Sequence, residues 1–198
     1  KIIGDSLNNF HYDKLLIATG SINRHLVIND KKILPEENII YLRNVDESNS
    51  LKTKIKSAKN ILIIGGGFIG LEIASSAAQK GKNITILEKG DQLMGRVVPL
   101  EIAKLIKQTH EAFGTKIHLN VNIDKIENNK NSFKIYYNNK HIFLSDLIII
   151  GVGSVPNTEI FENTSLKIEN GIITDEFSST SIKNVYAAGD VSNFYHPF

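Results

Sequence analysis

The 198-residue chain is 41% hydrophobic and 22% charged, with 23 Lys plus Arg against 21 Asp plus Glu and a formal net charge of +2. That is the composition of an ordinary globular chain, long enough to bury a core as one large domain or about two small ones, and it argues against extensive disorder. Cysteine is absent, so these residues hold no disulfide framework, thiolate metal site or thiol nucleophile, and any redox chemistry must come from a cofactor.

Residues Lys14 to Ala18 (KLLIA) read as a buried strand that turns at Thr19 and Gly20. The polar, mixed stretch Ser21 to Asn38 reads as a connection between two bodies. From Asp46 to Lys59, Leu51, Ile55 and Ala58 recur at helical spacing and predict an amphipathic helix. Asn60 to Gly70 (NILIIGGGFIG) then drives an apolar strand, Ile61 to Ile64, straight into glycines. A helix from Leu71 to Lys80 follows, with Ile73, Ala74, Ala77 and Ala78 on its repeat and Gly81 at its stop. Ile84 to Leu87 is the next strand and ends on Glu88. Strand, tight turn, helix and strand make a βαβ unit, which implies a parallel sheet.

Pro99 suits the first position of another helix, with Ile102, Leu105, Ile106 and Phe113 as its buried side and Gly114 as its end. Lys116 to Leu119 is a further strand. The alternating runs Val121, Ile123, Ile126, then Phe133, Ile135, Tyr137, then Ile142, Leu144 predict an antiparallel meander with turns at Asn128 to Asn131 and Asn138 to Lys140. Leu147 to Ile150 is apolar throughout, as in a strand buried on both faces, and meets Gly151 and Gly153. Two short strands, at Ile172 and Ile173 and at Val185 to Ala188, precede Gly189 and Asp190.

Gly65, Gly67 and Gly70 satisfy G-x-G-x-x-G after a strand and at a helix start, the context in which glycines admit a pyrophosphate to backbone amides. Glu88, 18 residues beyond Gly70, matches the acid that bonds the adenine-side ribose; its charge repels a 2′-phosphate and favours NADH over NADPH, a preference that Lys89 could soften. Glu72 has two readings: a first-turn carboxylate favoured by the helix dipole, or a functional acid. The six histidines show no metal-ligand spacing, and no nucleophile elbow occurs. Twenty lysines and three arginines are scattered among acids, which gives nucleic-acid binding little support. The apolar runs, such as Leu147 to Val152, are too short to cross a bilayer and no signal peptide is evident, so a cytoplasmic location is expected.

Four segments in order, YDKLLIATG (Tyr12 to Gly20), ILIIGGGFIGLEIA (Ile61 to Ala74), GVGSVPNTE (Gly151 to Glu159) and NVYAAGDV (Asn184 to Val191), resemble the FAD-dependent pyridine nucleotide-disulfide oxidoreductases. YLRNVDESNSLK (Tyr41 to Lys52), FGTKIHL (Phe113 to Leu119) and the terminal His196 and Pro197 resemble the ferredoxin and rubredoxin reductase branch. The resemblance implies an α/β fold: a Rossmann-like parallel sheet with a β-meander, spanning 39–155, inserted into a partial FAD-binding domain formed by 1–38 and 156–198. It implies NADH reducing FAD, which passes electrons to a ferredoxin or rubredoxin. Gly65, Gly67, Phe68, Ile69 and Gly70 would then cradle NAD, with Glu88 on its ribose and Arg96 near its phosphates. Glu72 would face the nicotinamide amide, and Gly151 would let the nicotinamide half lie close to the main chain. Thr19 and Gly20 would line the flavin, and Asp190 would hold its ribitol, although each alone is also a plain turn residue.

The family's own opening glycine loop for FAD and its closing antiparallel domain are absent from this sequence. Both ends are therefore expected to be cut, and these residues alone to bind NADH at best without carrying flavin. A disulfide or peroxide reductase of the same superfamily and a non-catalytic NADH-binding module remain alternatives. The thioredoxin-reductase type does not, because its cysteine pair would fall within Asp46 to Asn60.

Overall fold

The computed structural model of the chain describes residues 11–95, 97–129 and 132–195. In chain order these form β1 (Leu15–Ile17), β2 (Ser21–Asn23), a hairpin of β3 (Val27–Ile28) and β4 (Lys31–Lys32), β5 (Ile39–Tyr41) and α1 (Val45–Ser57). The βαβ unit is β6 (Asn60–Ile64), α2 (Phe68–Ala78) and β7 (Asn83–Leu87), followed by α3 (Leu100–Ala112) and β8 (Lys116–His118). A meander of β9 (Ile123–Asn129), β10 (Ser132–Tyr137) and β11 (His141–Ser145) leads into β12 (Leu147–Ile150). Then come β13 (Ser154–Pro156), a short 3-10 turn at Glu159–Phe161, β14 (Ile172–Thr174), β15 (Val185–Ala187) and β16 (Ser192–Phe194).

The chain divides into two units, Lys1–Ile22 with Val155–Phe198, and Asn23–Ser154. The larger holds a five-stranded sheet in the order β5-β12-β6-β7-β8, with every neighbouring pair parallel. Its strands alternate side chains between two faces. Ile61, Ile63, Ile84, Ile86, Leu147 and Ile149 pack with α1 and α2 through Leu51, Ile55, Leu71 and Ala74. Leu62, Ile64, Leu87, Ile148 and Ile150 pack instead with Phe133, Ile135 and Tyr137 of the meander. Covered on both faces, β6 and β12 need uninterrupted apolar runs, and that is why the sequence shows them so plainly.

Local chemistry sets the helix ends. Asn44 caps α1: its side chain accepts from the Glu47 amide at 2.9 Å, and the Glu47 carboxylate accepts from the Asn44 amide at 3.2 Å, a reciprocal capping box. Asp46 and Glu47 in its first turn and Lys54 and Lys56 in its last complement the dipole. Asn138 and Asn139 both take positive φ, at 49° and 56°, and close the β10–β11 turn.

The smaller unit contains two parallel pairs, β1 with β15 and β14 with β16, around Ile17, Ile172, Val185, Ala187 and Val191. β2 pairs with β13.

Several expectations need correction. The 21–38 stretch carries β2, β3 and β4, and the first boundary lies between Ile22 and Asn23 instead of at 38. The reason is that Leu26 and Ile33 pack on the meander-side core, and the Tyr41 hydroxyl accepts from the Leu26 amide and donates to the Ile33 carbonyl. Among the described residues β1 has one neighbouring strand, β15, and there Ile17 points inward while Leu16 is 61% exposed. α3 begins at Leu100 with Pro99 as its cap, and its inward line runs through Ala103 and, as expected, Ile106, which packs on the helix-side core. Ile102, Leu105 and Phe113 are 45%, 59% and 77% exposed, because the three-residue edge strand β8 offers α3 only a narrow surface. In β11 it is Phe143 and Ser145, opposite Ile135 and Phe133, that share the meander's buried face, and Ile142 and Leu144 point outward. β9 continues through Asn128 and Asn129, where a turn was expected.

Candidate functional site

β6 leads first to β7 and β8 on one side, and the chain then returns through the meander to β12 on the other. Such a reversal of strand order opens a crevice at the carboxyl ends of the two strands, where open α/β sheets bind ligands. Here the crevice is flanked by Gly65 and Gly151.

Gly65 has φ +107°, and a Cβ there would lie 2.3 Å from the Gly151 carbonyl oxygen. A Cβ at Gly70 would lie 2.3 Å from the Gly65 carbonyl oxygen and 3.1 Å from Ile63, so close helix–strand packing demands that glycine. Gly67 differs: it is the cap of α2 at φ −85°, an ordinary conformation, and a Cβ there would meet nothing within 4 Å. The space over Gly67 is open on the side of the helix start. The amides of Gly67, Phe68, Ile69 and Gly70 have no intrahelical acceptor, and they concentrate the positive end of the helix dipole. Phe68 and Ile69 present exposed apolar side chains beside them.

Gly66, unremarked in the sequence, ties this loop to Glu88. Its amide donates to Glu88 Oε2 at 2.5 Å, and Glu88 Oε1 accepts from the Gly90 amide at 2.6 Å. The Gly66 carbonyl accepts from the Met94 amide at 3.0 Å, and a Cβ on Gly66 would strike the buried Leu93 at 2.5 Å. Each carboxylate oxygen keeps capacity for a second donor, so Glu88 can hold the loop and still accept from a diol. Lys89 is exposed next to it. Arg96 lies outside the described residues.

Because α2 begins at Phe68, Glu72 falls in its second turn instead of its first. A placement that merely serves the helix dipole is correspondingly weakened. The Glu72 side chain is exposed and makes no hydrogen bond or ion pair among the described residues. The Gly151 amide continues the β6 ladder by donating to the Ile64 carbonyl at 2.8 Å. A Cβ at Gly151 would find only ordinary contacts, 3.8 Å from the Gly70 nitrogen and 3.9 Å from the Ile64 oxygen, so packing alone does not require this glycine.

In the smaller unit, Thr19, Gly20 and Asp190 come together through two residues the sequence did not flag. Thr19 Oγ1 donates to the Asn157 carbonyl at 2.8 Å, and the Asn157 amide donates to the Gly20 carbonyl at 2.9 Å. Ser21 Oγ donates to Asp190 Oδ2 at 2.8 Å. These pairings span 138 and 169 residues, a separation that residue spacing does not encode. Among the described residues no group of three or more His, Cys, Asp or Glu could hold a metal, and no helix is long and apolar enough to cross a membrane.

Comparison with known proteins gives a consistent result. The chain is similar to a rubredoxin-NAD(+) reductase from Ectopseudomonas oleovorans, 30% identical over 190 residues that cover 96% of this chain and 49% of that protein. Among solved structures it is similar to a ferredoxin reductase from Rhodopseudomonas palustris, with a TM-score of 0.85 and 34% identity over 92% of this chain and 45% of the other. It is also similar to the reductase of a covalent putidaredoxin reductase–putidaredoxin complex, with a TM-score of 0.87 and 26% identity over 94% and 45%. The chain spans about half the length of the curated relatives it matches. Residues 2–196 match the family model described as pyridine nucleotide-disulphide oxidoreductase, and with this α/β fold and glycine crevice the chain belongs to that family.

Proposed function

We propose that the chain forms the NADH-binding part, with adjoining pieces of the FAD-binding part, of a longer flavoprotein reductase that delivers electrons to a ferredoxin- or rubredoxin-type carrier in the cytoplasm. The observation that carries this is Gly67: three neighbouring glycines are filled in by packing, and this one faces open space at a helix start. The fit extends to the second cofactor, since a Cβ at Gly20 or Gly189 would also meet nothing within 4 Å and Asp190 offers an exposed carboxylate beside them.

When bound, nicotinamide supplies a hydride and flavin accepts it; the chain contributes position and electrostatics. The amides of Gly67 to Gly70 receive the pyrophosphate, and Arg96 adds charge to it. Glu88 accepts from the adenine-side ribose and, with Lys89 beside it, disfavours a 2′-phosphate. Glu72 meets the nicotinamide amide, and the bare main chain at Gly151 leaves room for the ring. Thr19 and Gly20 line the flavin, and Asp190 accepts from its ribitol.

The relatives named for rubredoxin and putidaredoxin support the choice of acceptor class. Adding NADH anaerobically to the full-length gene product should bleach its flavin absorbance, and a flavin that stays oxidised sinks the reductase reading. The 198 residues alone should bind NADH and purify colourless; a flavin spectrum in that preparation would overturn this expectation.

A further inference from the structure

Ser21 is not one of the residues that the proposed function assigns to either cofactor, yet its hydroxyl donates to Asp190 Oδ2 at 2.8 Å across 169 residues of sequence. Its backbone is not free to drift. The turn immediately before it is fastened to Asn157 by three hydrogen bonds: Thr19 Oγ1 to the Asn157 carbonyl at 2.8 Å, the Asn157 amide to the Gly20 carbonyl at 2.9 Å, and Asn157 Nδ2 to the Thr19 carbonyl at 3.4 Å. Gly20 takes φ +68°, which lets the chain reverse between the fastened Thr19 and Ser21. On the other side, Asp190 follows Gly189, at φ +79°, directly after β15.

An exposed aspartate on a turn ordinarily samples several rotamers, and fixing it on binding costs free energy. A hydroxyl held by a fixed turn removes part of that cost in advance, and a hydrogen bond to an ionised acceptor is among the stronger kinds. The hydroxyl occupies one acceptor site on Oδ2 and ties that oxygen to the turn after β1.

We infer that Ser21 is a positioning residue for the flavin: it sets the Asp190 carboxylate for the ribitol hydroxyls before the cofactor arrives. The inference rests on the flavoprotein reading above. It extends that reading by making the turn after β1 an active support for the GD turn, in addition to a wall of the flavin site.

The test is equilibrium FAD binding to the apoprotein of the full-length protein, followed by quenching of flavin fluorescence. Apoprotein melting temperature and NADH affinity are measured alongside as controls on folding. Ser21→Ala should weaken FAD binding by about fivefold, the scale of leaving one side chain to be ordered on binding. Ser21→Thr, which keeps the hydroxyl, should restore binding to within about twofold, and the apoprotein melting temperature should fall by no more than one exposed hydrogen bond accounts for in Ser21→Ala and should recover in Ser21→Thr. Thr19→Val, which cuts the tether to Asn157, should weaken FAD in the same direction.

If Ser21→Ala binds FAD as tightly as the wild type while Asp190→Asn does not, the role given to Ser21 is wrong and the flavoprotein reading survives. If Ser21→Ala lowers FAD affinity and melting temperature together and Ser21→Thr rescues neither, the residue is only structural and the inference falls. If the wild-type full-length protein takes up no FAD, the underlying reading fails first.

Discussion

At the residue scale, the glycine loop separates two demands that a motif treats as one. Gly65 and Gly70 are held by the protein's own packing, and Gly67 by nothing the protein supplies. Gly67→Ala should therefore melt within about 1 kcal/mol of the wild type, the usual cost of alanine at a helix cap, yet lose NADH affinity by tenfold or more. Thermal melts and NADH titration would check it, and unchanged affinity would remove the pyrophosphate from this position. Gly65→Ala should behave oppositely, costing about 3 kcal/mol or more through overpacking against Gly151 and a strained φ, readable as a fall in denaturation midpoint. A similar logic applies to Ser145, which is 1% exposed. Its hydroxyl accepts from the Leu62 amide at 3.1 Å and donates within the main chain beside it. Ser145→Ala removes a buried hydroxyl that links the Leu62 amide to the Asn60 and Leu147 carbonyls, and should cost about 1 kcal/mol.

At the element scale, legibility in the sequence followed how many faces an element buries. β6 and β12 are covered on both sides, so their apolar runs had one interpretation. β11 reads Ile142, Phe143, Leu144, apolar on both faces, and only its pairing opposite Ile135 shows that Phe143 is the inward one. For α3 the helical repeat was visible but its orientation only in part: Ile106 packs on the core, while the strand beneath supplies so little surface that Ala103 and not Leu105 joins it. His110, in the last turn of α3, has its imidazole pKa held below the ordinary 6.5 by partial burial. The folded state therefore binds that proton less readily than the unfolded chain, and stability falls as pH drops below the ordinary imidazole range. The loss between neutral and mildly acidic pH should shrink in His110→Gln, measured by denaturant titration at a series of pH values. An unchanged pH slope would assign the effect elsewhere.

At the scale of the molecule, both main cores, helix-side and meander-side, draw among the described residues on those from Leu26 to Val152. The unit Asn23–Ser154 should consequently fold on its own, unfold in one cooperative transition and bind NADH like the longer chain. Expression of that segment with calorimetry and NADH titration tests it, and a segment that does not fold would show that the smaller unit is needed. The four ordered motifs made the family readable from the sequence, because each is a turn whose chemistry is local. The links between turns, Ser21 to Asp190 and Gly66 to Glu88, were not readable, since they depend on which chain ends the sheet brings together.

The double hold of Glu88 on Gly66 and Gly90 bears on how a protein like this could change its nucleotide preference. Removing the acid to admit a 2′-phosphate also releases two backbone amides that shape the loop. Selection for the new nucleotide must therefore be accompanied by repair of the scaffold at the neighbouring turn. On the proposed reading of Glu88, a single replacement gives up loop stability along with the ribose contact, and a switch is expected to arise through compensating changes around Lys89 to Leu93, acquired together or with the repair first.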